Sequence, residues 1–286
     1  MKEIPTKTPL VTCEWLQDNL NSPGIVLLDC TFMLPNQERN AFDEYRREHI
    51  PGAQFFDIDY IADRESNLPH MLPSTEVFAT SVGELGIDNK TQIIVYDNNC
   101  FMASARVWWT FRVFGYHNIF VLNGGLKRWK ADGGIVNSEI VRRPSKQFDA
   151  VFHPSLVYDL AKMRKLTVAK THKIIDARSP SRFSGIEKEV RPGLLSGHIP
   201  GSTNLHYNTL VNLDTNELVT LEKLEFLYNA VGIKGDQPIV ATCGSGVTAS
   251  IIALGLFCLG FENIPVYDGS WTEWGGCLDT PIETEP

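Results

Sequence analysis

Pro238-Ile239-Val240-Ala241-Thr242-Cys243-Gly244-Ser245-Gly246-Val247-Thr248-Ala249-Ser250-Ile251-Ile252-Ala253-Leu254-Gly255-Leu256 is the stretch around which the 286 residues are organised. Its first part is a short apolar run of strand type. Its last part has the spacing of a buried helix, and a tight loop headed by a cysteine joins the two. Two glycines let the loop backbone fold back so that successive N–H groups converge on one point. The following helix adds its positive N-terminal end there. Both effects favour thiolate over thiol, so Cys243 is expected to have a lowered pKa and to act as a nucleophile. The plain alternative is a small core cysteine beside an ordinary glycine-rich loop.

Composition narrows the field. Apolar residues make up 43% of the chain, enough for one large or two medium domains. The formal net charge is 26 minus 34, or -8, and no long Lys/Arg run opposes it, which argues against a nucleic-acid or membrane-surface footprint. No apolar segment approaches the length of a spanning helix. The start, Met1-Lys2-Glu3-Ile4-Pro5, lacks the apolar centre of a secretory signal. Cys13, Cys30, Cys100, Cys243, Cys258 and Cys277 are scattered without a C-x-x-C pair and read as free thiols of a reducing compartment. Cytoplasm is the expected location, with a mitochondrial one open if a transit peptide has been removed. The histidines show no metal-ligand spacing, so neither metal nor organic cofactor is expected.

Outward from the loop, the chain states one pattern twice. Ile174-Ile175-Asp176 repeats Leu27-Leu28-Asp29, and His198-Ile199-Pro200-Gly201 repeats His49-Ile50-Pro51-Gly52. Val240-Ala241-Thr242-Cys243 repeats Ile94-Val95-Tyr96-Asp97, and Tyr267-Asp268-Gly269-Ser270-Trp271 repeats Leu122-Asn123-Gly124-Gly125-Leu126. Four landmarks in one order at nearly constant offset mark a duplicated α/β unit. Short apolar strands alternating with helices predict, in each copy, a short, mostly parallel sheet covered by helices on both faces. In the first copy, strands are expected at Ile25 to Leu28, Gln92 to Tyr96 and Ile119 to Leu122. Helices are expected over Cys13 to Leu20, Asn40 to Arg47, Glu76 to Leu85 and Ala103 to Phe114. The first ten residues read as a loose arm. The domains are assigned to 1–137 and 153–286, joined by a polar, solvated linker at 138–152.

The copies differ where chemistry is expected. Asp97 replaces the cysteine in the first half, followed by Asn98-Asn99-Cys100-Phe101, and nothing in that loop is expected to cradle an anionic sulfur. The first domain therefore reads as support that lends groups to a cleft from its long irregular stretch, Asp57 to His70. A cysteine heading a ring of N–H donors suits phosphate-ester cleavage, oxyanion reduction or sulfur transfer through a persulfide. Cysteine phosphatases need an arginine six positions after the cysteine; here that position is Ala249. An acyl-transfer enzyme needs a histidine base beside the cysteine, and neither flank of the loop provides one, although a distant histidine could.

The two-copy layout, the His-Ile-Pro-Gly marks, the Cys243-to-Ala249 loop and Asp268-Gly269-Ser270-Trp271-Thr272-Glu273-Trp274 resemble the rhodanese superfamily over essentially the whole chain. The neutral Gly244 and Ser245 resemble its mercaptopyruvate branch, since thiosulfate-specific members carry basic residues in the loop. The resemblance implies two tandem rhodanese-like domains, the first without a catalytic cysteine. It implies a sulfurtransferase in which Cys243 takes sulfur from 3-mercaptopyruvate as a persulfide, releases pyruvate and passes the sulfur to cyanide, a small thiol or a thioredoxin-like protein. Arg182 and Arg191 are implied to hold the substrate carboxylate and keto oxygen. The backbone of Gly244, Ser245, Gly246, Val247 and Thr248 is implied to stabilise the persulfide. Asp59, His70 and Ser245 are implied to form a proton relay. Thiosulfate:cyanide sulfur transfer and a slow persulfide relay module are the alternatives, and a monomer is expected. Taken alone, Arg182 could be a surface ion-pair partner of Glu187 or Glu189, and His70 a turn cap. His49 and His198 recur in both halves, including the one without a nucleophile, and so belong to the fold. The tryptophans read as core, with Trp271 or Trp274 able to line a cleft.

Overall fold

The computed structural model describes residues 8–34, 37–235 and 237–285. The chain forms two compact units: 1–64, 72–153 and 212–218 make the first, and 65–71, 154–211 and 219–286 the second.

In the first unit the order is β1 (Leu10–Val11), α1 (Cys13–Asn19), β2 (Ile25–Asp29), α2 (Ala41–Arg47), β3 (Gln54–Phe55), α3 (Thr75–Glu84), β4 (Gln92–Tyr96), α4 (Ser104–Val113), β5 (Ile119–Leu122) and α5 (Gly125–Ala131). The strands form a five-stranded sheet in the order β1-β5-β4-β2-β3, with every described pairing parallel. β2 and β4 are buried at every position, as expected of strands covered on both faces. Each helix start has a sequence reason: Thr12, Asn40 and Ser74 accept the N–H three residues on, from Trp15, Asp43 and Val77. One sheet face packs Leu16, Ile25, Leu27, Ile94, Leu122 and Trp129. Elsewhere in the unit, an aromatic group of Phe78, Phe111, Phe114 and Phe148 packs ring to ring.

The second unit repeats the plan with β6 (Val157–Tyr158), α6 (Leu160–Ala169), β7 (Lys173–Asp176), α7 (Pro180–Ser184), β8 (Thr203–Asn204), α8 (Leu221–Ala230), β9 (Ile239–Thr242), α9 (Ala249–Cys258), β10 (Val266–Tyr267) and α10 (Ser270–Trp274). Its sheet order, β6-β10-β9-β7-β8, is the same and again parallel. Helix α9 is buried on all sides except at Phe257 and serves as a core element. The chain order reverses between β9 and β7, and the carboxyl ends of strands at such a reversal form the usual crevice of parallel sheets.

Two expectations need correction. Of the arm read over the first ten residues, 1–7 lie outside the described residues, and Leu10 is not loose: with Val11 it pairs with Val121 and Leu122 as the edge of the first sheet. Residues 138–152 are mostly solvent-exposed, as expected of a linker, but they are tied down along the first unit. Lys146 N–H donates to Gly83 O (2.9 Å), Val151 N–H to Phe114 O (3.0 Å) and His153 N–H to Val113 O (2.7 Å), with Phe148 buried. This strap belongs to the first unit, which ends at His153 rather than at 137. Its backbone polar groups find partners that its polar composition does not reveal.

The matched histidines do serve the fold. His49 is fully buried, with ring nitrogens at Tyr45 O (2.6 Å) and Glu139 O (3.0 Å), and its ring stacks on Tyr45. His198 repeats this with Phe183 O at 2.8 Å and the Phe183 ring. No described helix is long and apolar enough to cross a membrane.

Candidate active site

Cys243 follows the last residue of β9 and is almost fully buried. Its loop is held from behind by the start of α10. Trp271 N–H donates to Cys243 O (3.0 Å), and Thr272 donates to Gly244 O from both its N–H (2.8 Å) and its hydroxyl (2.7 Å). Ser250 Oγ donates to Gly246 O (3.3 Å), and the Cys243 N–H goes to Ser270 Oγ (3.2 Å). In a trans peptide, N–H and C=O point in opposite directions. Holding the carbonyls of residues 243, 244 and 246 on the outside therefore turns the N–H groups of Gly244, Ser245 and Val247 inward. Gly246, at φ +76°, makes the reversal that a side chain would resist. Helix α9 has no side-chain N-cap, so the positive end of its dipole faces the same loop.

The first unit shows what such a loop receives. Asp97, at the cysteine position, accepts from the N–H groups of Asn99 (3.1 Å), Phe101 (3.1 Å), Ala103 (3.2 Å) and Ser104 (2.9 Å), and from Ser104 Oγ (2.8 Å). No sulfur is cradled there, but the loop does have converging N–H donors, which the sequence did not show, and the chain's own Asp97 side chain takes them up. Full burial nonetheless raises the Asp97 pKa, against the pull of these hydrogen bonds. The donors converge on the side chain of this position, and in the second unit that side chain is Cys243.

Arg182, on α7, lies over the loop. A Cβ on Gly244 would meet its Nη2 at 3.2 Å, a tight contact, so glycine lets the guanidinium lie close. Arg182 is ion-paired with Glu189 rather than Glu187, through Nη2 and through Nε (3.2 Å). Glu189 is itself buried and also holds Arg178 at 2.7 Å, while Arg178 grips Asp176 at 2.6 Å and lies against the Trp271 ring. Burial alone would lower the Arg178 pKa; Asp176 and Glu189 outweigh it and the net direction is up. The chain Asp176–Arg178–Glu189–Arg182 alternates in charge and fixes the Arg182 fork, whose Nη1 has no acceptor among the described residues.

His70 and Arg191 are brought together, with His70 Nε2 and Arg191 Nη2 3.4 Å apart, and both belong to the second unit although His70 lies in the first half of the sequence. His70 sits at φ +61°, a backbone region unusual for a side-chain-bearing residue. Ser245 and Val247 are buried in the loop, and Gly244 and Thr248 are partly exposed. Asp59 is placed in the first unit, exposed, with its N–H on Asp57 Oδ1 (2.9 Å). Trp271 and Trp274 are fully buried, their indole N–H groups on Leu195 O and Pro281 O. The sequence reading named Glu189 as a surface ion-pair partner of Arg182 rather than a buried support, and missed Ser270 and Thr272. The signal for the last two was present in the repeated Asp268-to-Trp274 motif, which was read only as a landmark.

Comparison with known proteins agrees with this arrangement. The Rhodanese-like domain family matches residues 12–132 and 158–277. The chain is 41% identical to thiosulfate/3-mercaptopyruvate sulfurtransferase 1, mitochondrial, of Arabidopsis thaliana, covering 98% of this chain and 79% of the relative. It is 40% identical to 3-mercaptopyruvate sulfurtransferase of Escherichia coli strain K12, covering 96% and 98%. The crystal structure of SseA from Escherichia coli, a 3-mercaptopyruvate sulfotransferase, superposes with a TM-score of 0.84 at 38% identity over 92% of this chain and 99% of that one.

Proposed function

The chain belongs to the rhodanese-like family, and we propose from its site that it is a 3-mercaptopyruvate sulfurtransferase working through a Cys243 persulfide. The observation that carries the donor class is the Arg182 guanidinium over Gly244. It offers a carboxylate-gripping fork beside the nucleophile and leaves no charge inside the loop.

In the proposed reaction the Cys243 thiolate attacks the sulfur of 3-mercaptopyruvate. A sulfur–sulfur bond forms, the carbon–sulfur bond breaks, and its electron pair leaves on carbon as pyruvate enolate, which a proton then converts to pyruvate. Arg182 and Arg191 hold the carboxylate and keto oxygen, where enolate charge develops. The inward N–H groups of Gly244, Ser245 and Val247 stabilise the persulfide anion, the role their counterparts play for the Asp97 carboxylate. His70, beside Arg191, and the Ser245 hydroxyl serve the proton, with Asp59 as the implied orienting group. A small thiol completes the cycle by taking the outer sulfur. A thioredoxin-like protein is the finer acceptor proposed, and the cytoplasm the proposed location, in keeping with six free cysteines. The name of the Arabidopsis relative favours thiosulfate as a second donor.

The test compares pyruvate release from 3-mercaptopyruvate with sulfur transfer from thiosulfate, in the intact protein and in Cys243→Ser. Preference for mercaptopyruvate, falling to blank level in the variant, is expected. Preference for thiosulfate would reverse the donor assignment. Activity surviving the substitution would remove Cys243 from the chemistry.

A further inference from the structure

The hold on the loop differs between the two copies in a way that separates fold from function. The bond from Trp271 N–H to Cys243 O (3.0 Å) has a counterpart in the first unit, Leu126 N–H to Asp97 O (3.0 Å), so it belongs to the shared architecture. The paired bonds from Thr272 to Gly244 O have none. The corresponding residue is Lys127, which has no hydroxyl; its ammonium donates to Leu213 O (2.8 Å), and among the described residues it makes no bond to Asn98 O. The unit that holds the sulfur nucleophile thus adds a second clamp on one peptide.

That peptide needs one. Gly244 has no side chain to limit its rotation, and a Cβ there would crowd Arg182 Nη2 at 3.2 Å. The Gly244 carbonyl and the Ser245 N–H are two ends of a single plane. Fixing the oxygen at both Thr272 N and Oγ1 therefore also fixes the direction of the Ser245 N–H.

We propose that the Thr272 hydroxyl is a positioning residue for sulfur transfer, setting the Gly244–Ser245 peptide so that its N–H faces the Cys243 sulfur. The proposal rests on Cys243 being the sulfur carrier, but its test needs no donor substrate.

The experiment is peptide-resolved alkylation of Cys243 by iodoacetamide across pH, with thermal melting alongside, in wild type, Thr272→Val and Thr272→Ser. Valine keeps the shape and loses the hydroxyl; serine restores it. Thr272→Val is expected to alkylate roughly 3- to 10-fold more slowly at pH 7, about one net hydrogen bond expressed as a rate, with its pH profile displaced upward. Thr272→Ser is expected to follow wild type. A merely structural role would lower the melting temperature without moving the profile. Wild-type alkylation in a folded Thr272→Val, or failure of serine to restore it, overturns the proposal. Should valine prevent folding, Thr272→Ala carries the same expectation and the same refutation. A displaced profile in a protein that turns over neither sulfur donor would instead overturn the proposed activity and leave the positioning role standing.

Discussion

Asp29 and Asp176 close corresponding strands, both almost fully buried, and only Asp176 has a cation bound to it. Two residues past Asp176 stands Arg178, bound to it at 2.6 Å. Two residues past Asp29 stands Thr31, neutral rather than cationic, which bonds Asp29 through its N–H (2.9 Å to Oδ1) and its hydroxyl, beside the Tyr96 hydroxyl. Burial accordingly raises the Asp29 pKa from 3.8 to about 6. The folded chain then holds this proton more tightly than the unfolded chain, so its contribution favours folding at low pH and is lost as pH rises from about 4 through about 6. Asp29→Asn removes that dependence. The stability of the variant relative to wild type should climb across this interval by up to about 3 kcal/mol and level off near pH 7. Denaturant titrations at pH 4.5, 6 and 7.5 will check it, and a pH-independent difference would refute it. Both aspartates were visible as landmarks in the sequence. Their different electrostatics were not, because a buried ion pair depends on side-chain direction rather than spacing.

At the level of elements, the apolar strands and the helix periods were the legible part, since alternation of period is a local property. The strap at 138–153 was illegible for the opposite reason. It is held by backbone bonds to α3 and α4, and a polar run says nothing about where its amides go. Gly83 is its seat: a Cβ there would lie 2.4 Å from Lys146 O, a backbone atom with no freedom to swing aside. Gly83→Ala gains about 1 kcal/mol of helix propensity but incurs a clash of about 1–3 kcal/mol and strains the Lys146–Gly83 bond. Net destabilisation of about 1–2 kcal/mol is expected in chemical denaturation. A stabilised variant would show that the strap yields freely.

For the whole molecule, the family match and the repeat suggest a chain that could be cut in the middle, but the membership of its segments says otherwise. Residues 65–71, which contain His70, pack with the second unit, and 212–218 pack with the first. A fragment of residues 154–286 therefore lacks one native segment and carries another without its neighbours. It is expected to melt at lower temperature and less cooperatively than the full chain, and to release no pyruvate. Circular dichroism and the mercaptopyruvate assay decide this, and a stable, active fragment would contradict it. The same interleaving explains which parts of the site could be read in advance. The Cys243 loop is contiguous and was evident, whereas the Glu189 and Thr272 supports meet it only through folding.

Asp97 gives the duplication a further meaning. Its carboxylate is bound by the donors of its own loop and is tethered to the backbone through carbon, so it can never be handed on. A sulfur carried on Cys243 is attached by a bond that another thiol can exchange. The two loops thus solve one binding problem with a permanent guest and a transferable one. A single atom's leaving ability separates a structural copy from a carrier.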